Sequence, residues 1–417
     1  TQSRSSAASD VYKRQPLTDG EYVQGLYVQN DRLISIGTSQ YYGSYGDVWR
    51  QIAPWGQQSL SVKVYDTSNI DSIEKTSDIR IDGGFVDSRR IGDTLYLISR
   101  HTPHWDTIYY YPANQQEANA NKQVLVNATP ADIIPNITVN EQTRPLFSAQ
   151  DCLITRDDKT NDYTYPVITS ITAVPLNNPS NAQTTCYDED ANGVYMSSNA
   201  IYLSQARYDN SEGRTRIHKF ALGAGKPIYR GSAELAGELW SRGQVDFRMS
   251  EKGNQLRVIT TRYTGDSADL RDHQLTILQE ASDDLRLDPL ATLPNSNRPT
   301  ELGKPNESLY GVRFLDDRLY LVSFEQIDPL YVLDLSNPAD PYIAGELEIP
   351  GFSDFLHPVN DELLLGLGQS AQNQGLVKLS LFNVADIANP LELATVLLGK
   401  EGGWNYTEAQ YNRHAFT

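Results

Sequence analysis

Two short sequence patterns recur in alternation along this chain. The first is an alternating apolar strand that ends in a turn rich in Asp, Asn, Ser and Pro; its copies begin at Val62, Leu330 and Leu379. The second is a short apolar entry, a polar turn and an apolar strand; its clearest copies are Phe85 to Ser99, Leu309 to Ser323 and Phe352 to Gly366. Because period-2 alternation indicates β-strands, the chain is predicted to consist of repeated hairpins.

The spacing of the copies predicts the architecture. Weaker copies of the second pattern are Leu26 to Ile36, Val194 to Ser204 and Asp246 to Ile259. Successive copies lie about 44 to 65 residues apart, which is typical of four-stranded propeller blades. One interval between successive copies is about 106 residues long, which indicates either an insertion or one more, unrecognised blade. We therefore predict an all-β fold, a β-propeller of about seven or eight four-stranded blades, with a polar insertion at 104–150. A β-sandwich would not produce so many copies of one signature.

Both ends of the chain are predicted to be truncated. The string from Ser5 to Gln15 resembles the in-frame translation of a transposase adapter used to prepare sequencing libraries. Residues 1–15 are therefore interpreted as a non-native segment, and residues 16–417 as a single propeller domain. Residues 411–417 stop where a further strand should begin. The absence of an export signal is then uninformative.

Charge and cysteine content limit the partners and the compartment. The formal net charge is −18, which argues against nucleic acid or an anionic membrane as a partner. No apolar run is long enough to cross a bilayer as a helix. Cys152 and Cys186 bracket the strand-like segment from Tyr165 to Pro175. The count alone leaves two alternatives open, a disulfide in an oxidising compartment or two separate thiols.

One stretch resembles a known family. The segment from Glu307 to Gly368, with its elements VRF, DPLYVLDL and GFSDFLHP, is similar to the secreted β-propeller domain family of bacteria and archaea, distantly related to WD repeats. Val86 to Leu97 and Leu379 to Phe416 extend the similarity, and the segments around the two cysteines resemble the proteobacterial branch. The resemblance implies a secreted or periplasmic protein and favours a Cys152–Cys186 disulfide. It implies no particular activity.

Aligning the repeats predicts a collar of donor side chains. Six residues before the apolar strand of each hairpin, the chain has Arg89, Arg313, His357, Tyr195 and Tyr27. Arg248 lies within two residues of this position, and His414 occupies a similar place in the last copy. Equivalent positions of successive blades lie at one height, so these side chains are predicted to bind an acidic ligand at a channel mouth. Alternatively, each arginine pairs with a carboxylate such as Asp87 or Asp354.

A second candidate site has the spacing of a calcium loop. Asp188, Asp190, Asn192 and Gly193 reproduce the D-x-D-x-N-G opening, although the twelfth position is Asn199 where a helix-loop-helix site has Glu. An ordinary acidic hairpin turn is the alternative. Ca²⁺ at this loop is the one cofactor that the sequence suggests.

No catalytic motif accompanies these sites. The chain has no G-x-S-x-G elbow, H-E-x-x-H helix or Walker loop. We therefore expect an extracytoplasmic binding or scaffold module for an unknown protein or glycan. The alternative is a polysaccharide-acting lyase or hydrolase on the same scaffold, which rests on analogy of fold.

Overall fold

The computed structural model describes most of the chain and shows two compact units. The described residues are 21–39, 58–109, 111–154, 167–191, 193–209, 212–239, 245–264, 270–304, 306–324, 328–371, 375–400, 402–403, 405–407 and 409. Unit 1 comprises the described residues of Thr1–Asp190 and Ala224–Pro227, and unit 2 those of Ala191–Gly223 and Ile228–Thr417. Each unit is described separately below. The predicted non-native segment at residues 1–15 and the collar residue His414 lie outside the described residues.

Unit 1 consists of β-strands with two helices between them. In chain order its described elements are β1 (Tyr22–Gln29), β2 (Arg32–Thr38), β3 (Ser59–Asp66), β4 (Glu74–Asp82), β5 (Gly84–Ile91), β6 (Thr94–His101), α1 (Gln115–Val126), α2 (Pro130–Ile133), β7 (Asn136–Val139), β8 (Gln142–Pro145), β9 (Cys152–Leu153), β10 (Ile168–Pro175) and β11 (Gln183–Tyr187). Sheet I has the order β1-β2-β3-β4-β7-β8, and sheet II has the order β5-β6-β10-β11-β9. Alternate apolar side chains of the two sheets form one buried core, as period-2 strands require.

The segment predicted as an insertion extends sheet I. Strand β7 pairs antiparallel with β4, so that Ile79 lies opposite Val139, and β8 then pairs with β7. The preceding helix α1 begins at the N-cap Asn114, whose side chain accepts a hydrogen bond from the backbone N–H of Glu117 at 3.0 Å. The described residues of this segment therefore add strands to an existing sheet and do not form a sheet of their own.

Unit 2 contains four sheets of four strands each among its described residues. Their strands are β12 (Gly193–Met196), β13 (Ala200–Asp209), β14 (Glu212–Ala221), β15 (Ile228–Ala236), β16 (Met249–Lys252), β17 (Gln255–Thr264), β18 (Leu270–Glu280), β19 (Leu287–Leu293), β20 (Ser308–Leu315), β21 (Arg318–Phe324), β22 (Asp328–Asp334), β23 (Tyr342–Ile349), β24 (Phe352–Pro358), β25 (Leu363–Gln369), β26 (Val377–Asn383) and β27 (Leu391–Leu398). Sheets III, IV, V and VI are the consecutive groups of four, and each is an antiparallel meander in chain order. A short 3₁₀ helix, Val245–Arg248, precedes β16.

The repeat patterns correspond to fixed positions in the sheets. The second pattern forms the first two strands of a sheet, and the first pattern forms the third strand, as β20, β21 and β22 show. The predicted turn pair Asp316-Asp317 joins β20 to β21, and Asp316 has a φ of 45°, in the left-handed region that tight hairpins use. The all-β prediction is confirmed. The described residues form six sheets, and the predicted count of about seven or eight blades stays a prediction.

Candidate functional site

The collar residues occupy equivalent register positions in their sheets. In sheet V, Arg313 on the first strand lies opposite Tyr320 on the second strand, and Tyr320 lies opposite Val332 on the third. A β-bulge directly after Val332 interrupts the pairing of the third strand with the fourth. The same pairings and the same bulge identify the equivalent residues of four other sheets: Tyr27 in sheet I, Tyr195 in sheet III, Ser250 in sheet IV and His357 in sheet VI. In sheet II, Arg89 lies opposite Tyr96 and follows the β-bulge of the first strand by two residues. Arg313 lies at the same distance from the corresponding bulge in the first strand of sheet V.

In unit 1, the two collar residues differ in environment. The Tyr27 hydroxyl donates a hydrogen bond to the carbonyl oxygen of Ser88 at 2.8 Å, so its tip is held against the first strand of sheet II. Arg89, on that same strand β5, is exposed. Tyr27 therefore joins two sheets, and the ligand role predicted for both residues stays a prediction.

In unit 2, the 3₁₀ helix Val245–Arg248 lies where first strands of several sheets converge. Val245 approaches β12 so closely that a Cβ added to Gly193 would lie 2.5 Å from its Cγ1 atom. Phe247 contacts Phe355 of β24, with ring centroids 5.9 Å apart. The guanidinium carbon of Arg313, on β20, lies 5.5 Å from the centroid of the same Phe247 ring. Thus one short helix contacts the first strands of sheets III, V and VI.

Arg313 is a cation with no anionic partner among the residues that the structure describes. Its side chain is half-buried, and its Nε atom is buried without a hydrogen-bond partner. No described carboxylate forms an ion pair with it, and its guanidinium makes a cation–π contact with the Phe247 ring. Burial lowers the pKa of the Arg313 guanidinium from its ordinary value. Arginine nevertheless remains charged in proteins, so a partly dehydrated positive charge is available here.

Phe247 and Phe355 form an aromatic pair, in which Arg313 contacts the Phe247 ring and His357 contacts the Phe355 ring. The His357 ring stacks on that of Phe355, with centroids 6.2 Å apart and an angle of 25° between the planes. Phe355 also belongs to a buried apolar cluster with Leu367, Val377 and Ala409, against which Phe247 packs. Arg313 and His357 therefore each contact one ring of the Phe247–Phe355 pair, and the ligand role predicted for both residues stays a prediction.

The repeat alignment also assigns Tyr195 and Arg248 to the collar, but the structure engages the first in a contact between two sheets and buries the second. The Tyr195 hydroxyl accepts a hydrogen bond from the backbone N–H of Glu251 at 2.9 Å, which ties sheet III to sheet IV. Arg248 lies two residues before the equivalent residue Ser250 and is only 2% exposed. Burial lowers the pKa of Arg248 to about 10. A side chain so fully enclosed cannot reach a ligand without rearrangement.

A buried chain of hydrogen bonds adjoins Arg248, and sequence patterns gave no sign of it. Arg248 Nη1 donates to Oγ1 of Thr261 at 3.1 Å, and Thr261 Oγ1 lies 3.0 Å from Nδ1 of His273. His273 Nε2 lies 2.8 Å from the carbonyl oxygen of Glu307. The Glu307 carboxylate in turn accepts a hydrogen bond from Oγ of Ser323 at 2.5 Å. Arg248, Thr261 and His273 belong to the repeat of sheet IV, and Glu307 and Ser323 to that of sheet V, so only the tertiary structure reveals the complete chain of hydrogen bonds.

A neighbouring arginine shows what a structural arginine looks like in this unit. Arg257 Nη2 donates to Oγ of Ser250 at 2.6 Å, and Nη1 donates to the carbonyl oxygen of Asp316. Its guanidinium also lies 5.0 Å from the ring centroid of Phe314. Arg257 thus joins sheets IV and V through specific acceptors, whereas Arg313 has none among the described residues.

The proposed calcium loop has an acidic side chain already engaged. Asp190 forms an ion pair with Arg100, and burial raises the pKa of Asp188. Asn192 lies outside the described residues. Among the residues described, no group of three or more His, Cys, Asp or Glu side chains is arranged to hold a metal ion. The calcium assignment stays a prediction.

Gly193 has a packing role that its motif does not suggest. It opens strand β12, and an added Cβ would lie 2.5 Å from Cγ1 of Val245 and 2.6 Å from Oγ of Ser204. Glycine is therefore needed here because the 3₁₀ helix approaches the strand closely.

The predicted disulfide between Cys152 and Cys186 is present. Cys152 on β9 and Cys186 on β11 are directly paired in parallel strands, with Cα atoms 4.4 Å apart. Cys186 is fully buried in the core of unit 1. The bond fixes the two-residue strand β9 to the edge of sheet II. Within the described part of the chain, no helix has the length and apolar character needed to span a membrane.

Comparisons with known proteins identify the family. The family model described as "Beta propeller domain" matches residues 2–417, so this chain belongs to the β-propeller domain family. The match includes the segment 1–15 that the sequence analysis interprets as non-native. The fold predicted from the repeats is thereby confirmed.

Curated relatives share the sequence over part of their length. An uncharacterized protein of Methanocaldococcus jannaschii is 37% identical over 162 residues, which are 39% of this chain and 23% of that protein. An uncharacterized protein of Archaeoglobus fulgidus is 34% identical over 203 residues, which are 49% of this chain and 28% of that protein. The matched region is therefore less than a third of the length of either relative.

Solved structures show only a distant likeness. A mutant of the apocarotenoid oxygenase of Synechocystis aligns with a TM-score of 0.36 and 10% identity, covering 57% of both chains. The cobalt-substituted form of that oxygenase aligns with a TM-score of 0.35 and 10% identity over 56% of both chains.

Proposed function

We propose that this protein is an extracytoplasmic, non-catalytic binding module that holds the carboxylate group of an acidic glycan at Arg313. The observation that carries the proposal is the half-buried guanidinium of Arg313, which has no carboxylate or carbonyl partner among the described residues. The Cys152–Cys186 disulfide supports an oxidising compartment, because such bonds persist mainly outside the reducing cytosol.

The chemistry of Arg313 favours a planar anion. A guanidinium presents a rigid fork of N–H donors that fits a carboxylate with two parallel hydrogen bonds. Partial burial strengthens such a contact because the local dielectric is lower than in water. The chain has a net charge of −18, yet no carboxylate among the described residues forms an ion pair with Arg313.

The aromatic surroundings favour a sugar as the carrier of that carboxylate. Phe247 lies beneath the guanidinium and remains half-buried, so a ligand carboxylate bound by Arg313 comes close to an apolar ring face. A pyranose ring has apolar C–H faces that pack on aromatic side chains, whereas a free inorganic anion gains nothing from them. His357, beside Phe355, supplies a second polar group near this aromatic pair.

Calorimetric titration with tri-galacturonic acid tests the proposal directly. We expect Arg313→Met to weaken binding by about 10-fold to 100-fold, the range for a lost charge-assisted hydrogen bond. The control is Arg286→Met, which removes the same charge from the same unit at an exposed arginine paired with Asp288. We expect this control to stay within about twofold of the wild type, because exposed pairs contribute little. Equal losses in both variants, or no wild-type binding to any acidic oligosaccharide, would contradict the proposal.

Product analysis distinguishes the proposed binding module from the enzymatic alternative, a polysaccharide lyase or hydrolase. Incubation with a panel of acidic polysaccharides, followed by assays for new reducing ends and for unsaturated products, detects hydrolase and lyase turnover. Turnover in the wild type that Arg313→Met abolishes would make the site catalytic, with Arg313 neutralising a sugar carboxylate. Binding without turnover supports the module proposed here.

A further inference from the structure

Arg313 lies over an aromatic ring, Phe247, and the next residue in the chain after that ring is the buried Arg248. The Phe247 ring lies 5.5 Å from the guanidinium carbon of Arg313, and Arg248 follows Phe247 in the same 3₁₀ helix. A helix of a single turn has few hydrogen bonds of its own, so side-chain contacts must fix its orientation. The contacts of Arg248 thus act together with the contact of Val245 with β12 and that of Phe247 with Phe355 in orienting this helix.

Arg248 is anchored in two directions. Its Nη1 atom donates to Oγ1 of Thr261 on β17, at 3.1 Å. Its Nη2 atom lies 3.5 Å from the carbonyl oxygen of Leu309 on β20, the strand that carries Arg313. One guanidinium thus connects sheet IV with sheet V while its neighbour Phe247 contacts Arg313. The fork geometry of arginine permits both contacts at once, which the single ammonium group of lysine cannot reproduce.

The Thr261 hydroxyl has a fixed orientation in this arrangement. Arg248 can only donate, so Thr261 Oγ1 accepts from it and is free to donate its own proton to Nδ1 of His273. The His273 Nε2–H then donates to the carbonyl oxygen of Glu307. Thr261 and His273 therefore each accept one hydrogen bond and donate another, and removal of the Thr261 hydroxyl would leave Arg248 Nη1 and His273 Nδ1 without this contact.

We propose that Arg248 is a positioning residue for Arg313, acting through Phe247, and that Thr261 holds Arg248 in place for this purpose. The inference rests on the proposed function, in which Arg313 is the ligand-binding group. It assigns to Arg248 a role different from the direct ligand contact that the repeat alignment predicts. Arg248 touches no ligand in this arrangement but determines how the Arg313 guanidinium is presented.

The test uses Thr261→Val, which keeps the side-chain shape and removes the hydroxyl, with Thr261→Ser as the matched variant that retains it. The first measurement needs no ligand: the rate at which phenylglyoxal modifies Arg313, read by peptide mass spectrometry with Arg286 as internal reference. The second is the Kd for tri-galacturonic acid. We expect Thr261→Val to raise the Arg313 modification rate and weaken binding by about threefold to tenfold each, the size of one buried hydrogen bond. Thr261→Ser should stay close to the wild type.

Each outcome decides the inference. A folded Thr261→Val protein with wild-type Arg313 reactivity would overturn it. If Thr261→Val does not fold, Phe247→Leu replaces it: raised Arg313 reactivity supports the role of the ring, and unchanged reactivity overturns it. If wild-type protein fails to bind tri-galacturonic acid while Thr261→Val still raises Arg313 reactivity, the proposed ligand is wrong but the positioning role stands.

Discussion

The ring centres of Phe247 and Phe355 lie 5.9 Å apart, although one residue precedes the first strand of sheet IV and the other belongs to the first strand of sheet VI. Arg313, from the sheet between them in sequence, lies over the first of these rings. The contact places residues of three repeats around one short helix in unit 2. Among the described residues of this unit, the Arg257 guanidinium has hydrogen-bond acceptors and that of Arg313 has none, and the difference can be measured.

Replacement of Arg313 and Arg257 by methionine should affect stability very differently. Arg257→Met leaves the Asp316 carbonyl and Ser250 hydroxyl without their donor and should reduce the free energy of unfolding by about 1 to 3 kcal/mol. Arg313→Met removes a partly buried charge that has no described partner and should change it by less than about 1 kcal/mol. Urea denaturation of both variants gives the comparison. A loss as large for Arg313→Met as for Arg257→Met would indicate that Arg313 is structural.

His273 should make the protein less stable in mild acid. Burial lowers the pKa of His273 to about 4, below its ordinary value of 6.5, because the charged ring would lose its hydration. The hydrogen bond to the Glu307 carbonyl raises this pKa, and the positive charges of Arg248 and Arg271 lower it further. Between these values the unfolded chain binds a proton that the folded protein does not, so stability falls as the pH decreases from about 6.5 to 4. The maximum loss from this residue is about 3 kcal/mol.

The His273→Gln variant isolates this contribution from that of the acidic residues. Its free energy of unfolding should decline less than that of the wild type between pH 7 and pH 4.5, as measured by urea denaturation at each pH. Parallel pH profiles for the two proteins would show that His273 titrates normally.

Reduction of the Cys152–Cys186 disulfide should destabilise unit 1. The bond closes a loop with a sequence separation of 34 residues, for which loop entropy predicts a contribution of about 3 to 4 kcal/mol. We expect a lower melting temperature with reductant in differential scanning calorimetry. The Cys152→Ser/Cys186→Ser double variant should melt at the lower temperature in both conditions. An unchanged melting temperature after verified reduction would contradict this expectation.

Gly193→Ala should disturb the candidate site although the glycine is not part of it. The added methyl group would lie 2.5 Å from Val245, in the 3₁₀ helix that carries Phe247. Such overpacking typically costs about 1 to 3 kcal/mol, and here it should also raise the reactivity of Arg313 toward phenylglyoxal. Gly223→Ala is the control, because a Cβ at Gly223 meets no atom within 4 Å. Equal effects of the two substitutions would argue against a specific contact with Val245.

Most of the fold could be predicted from the sequence, because its periodicity directly reflects strand geometry. The alternation at Leu330 to Asp334 fixes a strand, and Asp316-Asp317 fixes the hairpin before it. These signals are local and repeated, so each copy supports the others. The strands of the segment at 104–150 were not predicted, because β7 and β8 are short; β7 pairs with the existing strand β4, and β8 pairs with β7.

The register of the candidate site also followed from the repeat, whereas its chemistry did not. Counting back from the apolar strand located Arg313 and His357 at equivalent positions, since identical hairpins place equivalent residues at equal heights. The count could not show that Arg313 lacks a described acid partner or that Arg248 is enclosed by Thr261 and Leu309. Those properties depend on which groups of the same and of neighbouring repeats lie within hydrogen-bonding distance, and only the packing of the sheets in unit 2 determines that.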